Sequence, residues 1–197
     1  MQRTRATASL INVERALAAD ARRWAASHAS DSMTESEATG LALDAKRELL
    51  RHVVATVAYR GGVAVSDAPE DFAGFRINET ARTPGEILSH IGDLLEGSLY
   101  LVKGEFVYLT SSPLPWDEEV SRFFSAEKAF DSYLASDAPL ACPVEKLIQG
   151  PIGDALTHVG QIVMLRRMAG KPLRVEAYFT ADIVAGQVNE ETFMRTR

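Results

Sequence analysis

Cysteine is almost missing from this chain: Cys142 is the only one among 197 residues. A single thiol excludes an intrachain disulfide framework and a thiolate zinc cluster, and it fits a reducing, cytoplasmic setting. Long apolar runs are missing too. None approaches the roughly 20 residues that a membrane-spanning helix needs, so no membrane partner is expected. Positive charge is short. The 21 Lys and Arg against 27 Asp and Glu leave a formal charge of −6, which argues against nucleic acid, because phosphate backbones favour basic surfaces. What remains is ordinary globular material: 46% hydrophobic with 24% charged residues excludes disorder throughout. The length accommodates one domain with a real core and an appended segment.

That segment is at the N-terminus. Residues 1–32 are rich in Ala, Arg and Ser, with a helix expected over about residues 9–28. Glu14 and Asp20 count against a targeting peptide, which is poor in acidic residues. A second methionine, Met33, precedes a sequence that would start a protein equally well. Residues 1–32 are therefore read as a loosely attached extension or an over-called start, and residues 33–197 as the main domain.

Four helical segments follow. The first covers about Glu35 to Val65, with Leu43, Leu50, Val53, Val54 and Val57 on one stripe. The second opens with "TPGE": Thr83 suits the N-cap, Pro84 the first helical position and Glu86 the reciprocal partner of a capping box. Its apolar series, Ile87, Ile91, Leu94, Leu95, Ser98, Leu101 and Val102, carries it to about Lys103. The third runs over about Asp117 to Ala135, with Val120, Phe123, Phe124, Phe130 and Leu134 facing the core. The fourth has Pro151 near its start, Gly170 at a left-handed C-cap and Pro172 beyond. The tail from Arg174 shows only short apolar clusters, and neither internal repeats nor strand pairs emerge. The pattern predicts an all-α protein, a four-helix bundle with an irregular C-terminal tail.

One constellation has chemical content. At about 100° per residue, Asp154 and His158 share a flank of the fourth helix beside the arc of Ile152, Ala155, Leu156, Val159, Ile162 and Val163. Such an i, i+4 pair is either an exposed polar contact or two donors aimed at one ion. His90 lies at the margin of the second helix's arc, between Leu94 and Gly97, with Glu86 one turn before it. It is an interfacial histidine or a third donor. Inward-projecting side chains of facing helices are how bundles build metal sites, and three protein ligands with open positions match catalytic zinc and non-haem iron.

The wording of these two helices resembles a known group. "TPGEILSHIGDLL", followed some 60 residues on by "DALTHVGQIVMLRRMAGKP", looks like the DinB/YfiT-like superfamily of bacterial four-helix proteins. The likeness covers about residues 40–172. It implies a divalent metal held by one histidine of the second helix and a His-x-x-x-His pair of the fourth. By position, His90 and His158 match two of those ligands, whereas Asp154 stands where the pattern has histidine. A carboxylate still binds zinc, nickel or iron, but it adds a negative charge and shifts preference toward harder ions. The resemblance also implies a thiol-dependent transferase or isomerase using a low-molecular-weight thiol such as mycothiol or bacillithiol, with the metal lowering the thiol pKa. A small-molecule substrate is expected, and a homodimer for which the sequence defines no surface. A non-catalytic binding protein with a structural metal and a metal-dependent hydrolase are the alternatives.

Other residues have two readings each. Arg60 projects near the apolar side of the first helix, where it binds a substrate anion at a pocket mouth or snorkels to solvent. Glu127 falls on the third helix's apolar stripe; it supports the site from behind or reaches the surface after a small rotation. Trp116 anchors the start of the third helix or walls a pocket. His52 lies opposite the first helix's core stripe, His28 belongs to the extension, and nothing near Cys142 suggests an activated thiolate. Arg166 and Arg167 complement the dipole at the end of the fourth helix.

Overall fold

The structure, a computed structural model, describes residues 35–69 and 71–190. The expected extension of residues 1–32, its helix and His28 lie outside the described residues. The chain divides into two compact units, Met1–Leu43 and Asp44–Arg197; the helical core and all three predicted metal ligands belong to the second.

Regular structure among the described residues is entirely helical. The first helix, α1, spans Glu35–Val65. Helix α2 spans Pro84–Val102, α3 Trp116–Leu134, α4 is the single turn Val144–Leu147, and α5 spans Gly153–Met168. Helix α2 packs against both α3 and α5. The core joins Leu50, Val54 and Val57 of α1 to Ile91 and Leu95 of α2, Phe123 and Phe130 of α3, and Ala155 and Ile162 of α5. No described helix is long and apolar enough to cross a membrane.

Local chemistry explains the helix ends. At the start of α2 the expected capping box is complete: Thr83 Oγ1 accepts from the Glu86 amide at 3.2 Å, and the Glu86 carboxylate accepts from the Thr83 amide at 2.7 Å. Three acids, Asp117, Glu118 and Glu119, occupy the first turn of α3, where the helix dipole favours negative charge. Helix α5 ends as expected on left-handed Gly170 (φ +73°), with Lys171 N–H donating to Arg166 O and Gly170 N–H to Arg167 O.

Four expectations are corrected. Leu43 is exposed rather than part of the core stripe. The fourth helix does not simply begin near Pro151: α4 runs into a wide turn, Ile148–Ile152, whose Gly150 leaves helical geometry (φ −97°, ψ −108°), and α5 starts after it. Proline at 151 cannot continue the amide ladder, so the helix breaks and restarts. Glu127 is not at the surface; its side chain is completely buried in α3. Arg166 does more than complement its own dipole. It is buried and caps the end of α1 as well, donating to Ser66 O at 2.8 Å, while its Nε donates to Lys171 O.

Among the described residues the C-terminal tail carries the short turn Tyr178–Thr180 and returns to the helices at buried Val188. Tyr59 donates to Glu176 of the tail, and Trp116 meets Phe72 edge to face at 5.5 Å.

Candidate metal centre

Helices α2 and α5 bring the three predicted ligands together. His90 sits one turn beyond the α2 capping box, and Asp154 and His158 occupy consecutive turns of α5 just past the break at Gly150. His90 Nε2 is 3.5 Å from Asp154 Oδ2, and His158 Nδ1 is 3.1 Å from Asp154 Oδ1. The imidazoles meet edge to face, 4.8 Å between centroids. One donor atom from each residue lies within 4.8 Å of the others.

The chemistry of this donor set fits a divalent ion. Two nitrogens and a carboxylate oxygen suit zinc, nickel or iron, and bonds of about 2.0–2.2 Å bring neighbouring donors to roughly 3–3.5 Å of one another. The His90 Nε2–Asp154 Oδ2 distance is already close to that. His158 is held from behind, since its Nδ1 lies 2.9 Å from Asp154 backbone O. That contact assigns the proton to Nδ1 and leaves the Nε2 lone pair for coordination. His90 favours its neutral form: burial lowers its pKa, and the proximity of His158 and the Arg82 guanidinium pushes the same way against Asp154. A neutral imidazole is the ligating form.

The three residues are graded in exposure. His158 shows 11% of its side chain and Asp154 46%, with His90 between them. On one side, His90 and Asp154 border a cavity of about 750 Å³ whose apolar wall includes Leu94, Leu101 and Phe106. On the other, His158 borders a smaller cleft of about 410 Å³ with Met164 and Met168. The apolar arc read for α2 was therefore wider than its core face: Leu94 and Leu101 are half-buried because they line the cavity.

Several residues around the site were not foreseen. Arg82, just before the α2 cap, places Nη1 3.5 Å from His158 Nε2. Asp93, one turn beyond His90, is buried and accepts from Arg122 at 2.6 Å and from Ser111 Oγ at 2.6 Å. Burial alone would raise the Asp93 pKa, yet the bonds from Arg122 and Ser111 outweigh it and hold the carboxyl below its ordinary range. Arg122 also bonds Glu96 at 2.8 Å and lies 3.7 Å from Glu119. The signal for Asp93 is a carboxylate within an apolar stretch of helix; Arg82 carries none, since its neighbour is 76 positions away.

The remaining candidates lie elsewhere. Arg60 holds its guanidinium 4.5 Å from the centroid of the Tyr178 ring and is not among the residues lining the large cavity. Glu127 has neither carboxylate oxygen hydrogen-bonded, and burial together with the Asp131 charge raises its pKa well above the ordinary glutamate range. His52 is exposed. Burial pushes the Cys142 thiol up, away from thiolate reactivity.

Among known proteins, no family model, no curated sequence and no solved structure matches this chain.

Proposed function

We propose that the chain is a divalent-metal protein built as a four-helix bundle of the DinB/YfiT-like kind, and that it catalyses transfer of a low-molecular-weight thiol to a small electrophile. The observation carrying this reading is the meeting of His90, Asp154 and His158 beside an apolar cavity. A divalent ion at these residues supplies the Lewis acidity that lowers the pKa of a thiol. The chain's own residues supply the rest. His158, oriented by the Asp154 carbonyl, and neutral His90 offer lone pairs, and the Asp154 carboxylate offsets part of the ion's charge. Leu94, Leu101 and Phe106 offer an electrophile a partly dry wall next to those ligands. In the transfer, sulfur forms a bond to the electrophilic carbon, the leaving group departs with its electron pair, and the thiol proton goes to solvent.

The cavity favours a reacting ion over a structural one, because structural zinc sites are closed by four protein ligands. Elemental analysis of tag-free protein tests the centre: the native chain retains near-stoichiometric zinc, nickel or iron, and His158→Ala loses it. Equal trace metal in both removes the reading. Consumption of monobromobimane that requires both metal and added thiol identifies the transferase; consumption without thiol identifies a hydrolase.

A further inference from the structure

The charges around the centre do not balance in the same way on its two faces. Each acid bordering the neighbouring clefts has a partner. Glu86 closes the α2 cap and pairs with Arg76 at 3.2 Å, Asp93 pairs with Arg122, and Asp154 lies against both imidazoles. Arg82 is different. It is exposed, and among the described residues its one polar contact is the 3.5 Å approach to His158 Nε2. It borders the cleft holding His158 and also the one holding His90, so its guanidinium separates the two approaches to the centre. Its charge is felt at His90, whose pKa it helps to depress.

A fixed cation beside two metal-binding imidazoles is unfavourable by itself. With a dication bound, Asp154 contributes −1 and Arg82 +1, leaving a net charge of +2 in a partly desolvated place. An anion between the guanidinium and the ligand set turns that repulsion into two attractions. The planar guanidinium donates two parallel hydrogen bonds, the geometry that a carboxylate accepts. Next to it, Ile77, Leu165, Met164 and Met168 form an apolar cleft whose thioethers adapt to varied shapes.

We propose that Arg82 is the anion-recognition residue of the centre, selecting a small molecule with a carboxylate head and an apolar chain. The proposal rests on the metal reading above. The head group sits between Arg82 and the open side of the His90–Asp154–His158 set, and the chain lies along Met164 and Met168. The carboxylate belongs either to the electrophile or to the thiol.

The test uses the full chain loaded with Co(II), whose visible absorption reports the ion and its ligands. Wild type takes up Co(II), and hexanoate then shifts the bands saturably, whereas hexanamide does not. Arg82→Gln still binds Co(II), as tightly or more tightly, while its hexanoate affinity falls about 10- to 100-fold, the scale of a lost charge-assisted contact. Arg82→Lys recovers part of that loss. Hexanoate binding equal in wild type and Arg82→Gln, with Co(II) present in both, overturns the anion role alone. A wild type that takes up no Co(II) removes the metal reading and this one with it. N-acetylcysteine against its amide distinguishes the two sources. A preference for the acid that depends on Arg82 puts the carboxylate on the thiol; indifference puts it on the electrophile.

Discussion

Asp154 carries the difference between this centre and an all-histidine one. Its carboxylate touches both imidazoles, at 3.5 Å and 3.1 Å, so it joins α2 to α5 even without an ion. Asp154→Ala should weaken zinc binding by at least about 10- to 100-fold, the loss seen when mere supporting partners of a metal ligand are removed. Competition with a chromogenic chelator measures this. Asp154→His should retain the ion and move preference from harder toward softer metals; unchanged affinity in Asp154→Ala would exclude the carboxylate as a ligand. Glu127 poses the opposite case, a carboxyl with no counter-charge. Its pKa is raised in the folded state, so above the ordinary glutamate value the unfolded chain gives up a proton that the folded chain keeps. Stability contributed by this residue therefore falls as pH rises from that value toward the folded pKa. Glu127→Met should flatten that decline and stabilise the protein at neutral pH by about 1–3 kcal/mol, the cost of an unsatisfied buried polar group. Urea denaturation across pH reads both effects. On the sequence, Glu127 looked like a charge that a slight rotation would bring to the surface; the apolar stripe was the better guide, because Phe123 and Phe130 on either side of it fix the face.

Helices were legible where their chemistry is local. The capping box at Thr83 and the glycine stop at Gly170 each involve residues within a few positions, and both formed as expected. The break at Gly150 was not legible as a break, because Pro151 reads equally well as a first helical residue. The three residues that could hold an ion come together because helical spacing puts each on the flank of an apolar arc. Arg82 and Asp93 needed knowledge of which helices meet. The same distinction separates glycines of identical sequence appearance. A Cβ on Gly61 of α1 would stand 2.4 Å from Phe123 Cζ, so α1 and α3 approach closely there for want of a side chain. Gly61→Ala should cost about 1–3 kcal/mol through overpacking. Gly160, on the exposed side of α5, has nothing within 4 Å of a built Cβ, and Gly160→Ala should stabilise by about 0.5–1 kcal/mol through helix propensity alone. Chemical denaturation of the two variants checks the contrast, and equal signs would contradict the close approach.

Taken as a molecule, residues 44–197 hold the candidate centre between two elements distant in sequence and brace it from α3. Arg122 does the bracing. It reaches from α3 to Asp93 and Glu96 of α2 and to Ser111 of the segment between α2 and α3, the segment whose Phe106 and Tyr108 wall the cavity. Removing the guanidinium leaves Asp93 buried without its counter-charge and unties that wall. Arg122→Ala should therefore destabilise by about 3–5 kcal/mol at neutral pH, the range for breaking one side of a buried ion pair. Acid should shrink the deficit. In the native protein the depressed pKa of Asp93 contributes stability above its unfolded pKa, and that contribution disappears as pH falls through the folded value. In Arg122→Ala the carboxyl keeps its burial and its Ser111 bonds but loses the lowering contributed by Arg122, so it has less stability to lose on protonation. Denaturation of both proteins near pH 4 and near pH 7 decides the matter. A difference that narrows in acid places the energy in the Asp93 pair, and a constant one places it in lost packing of the arginine stem.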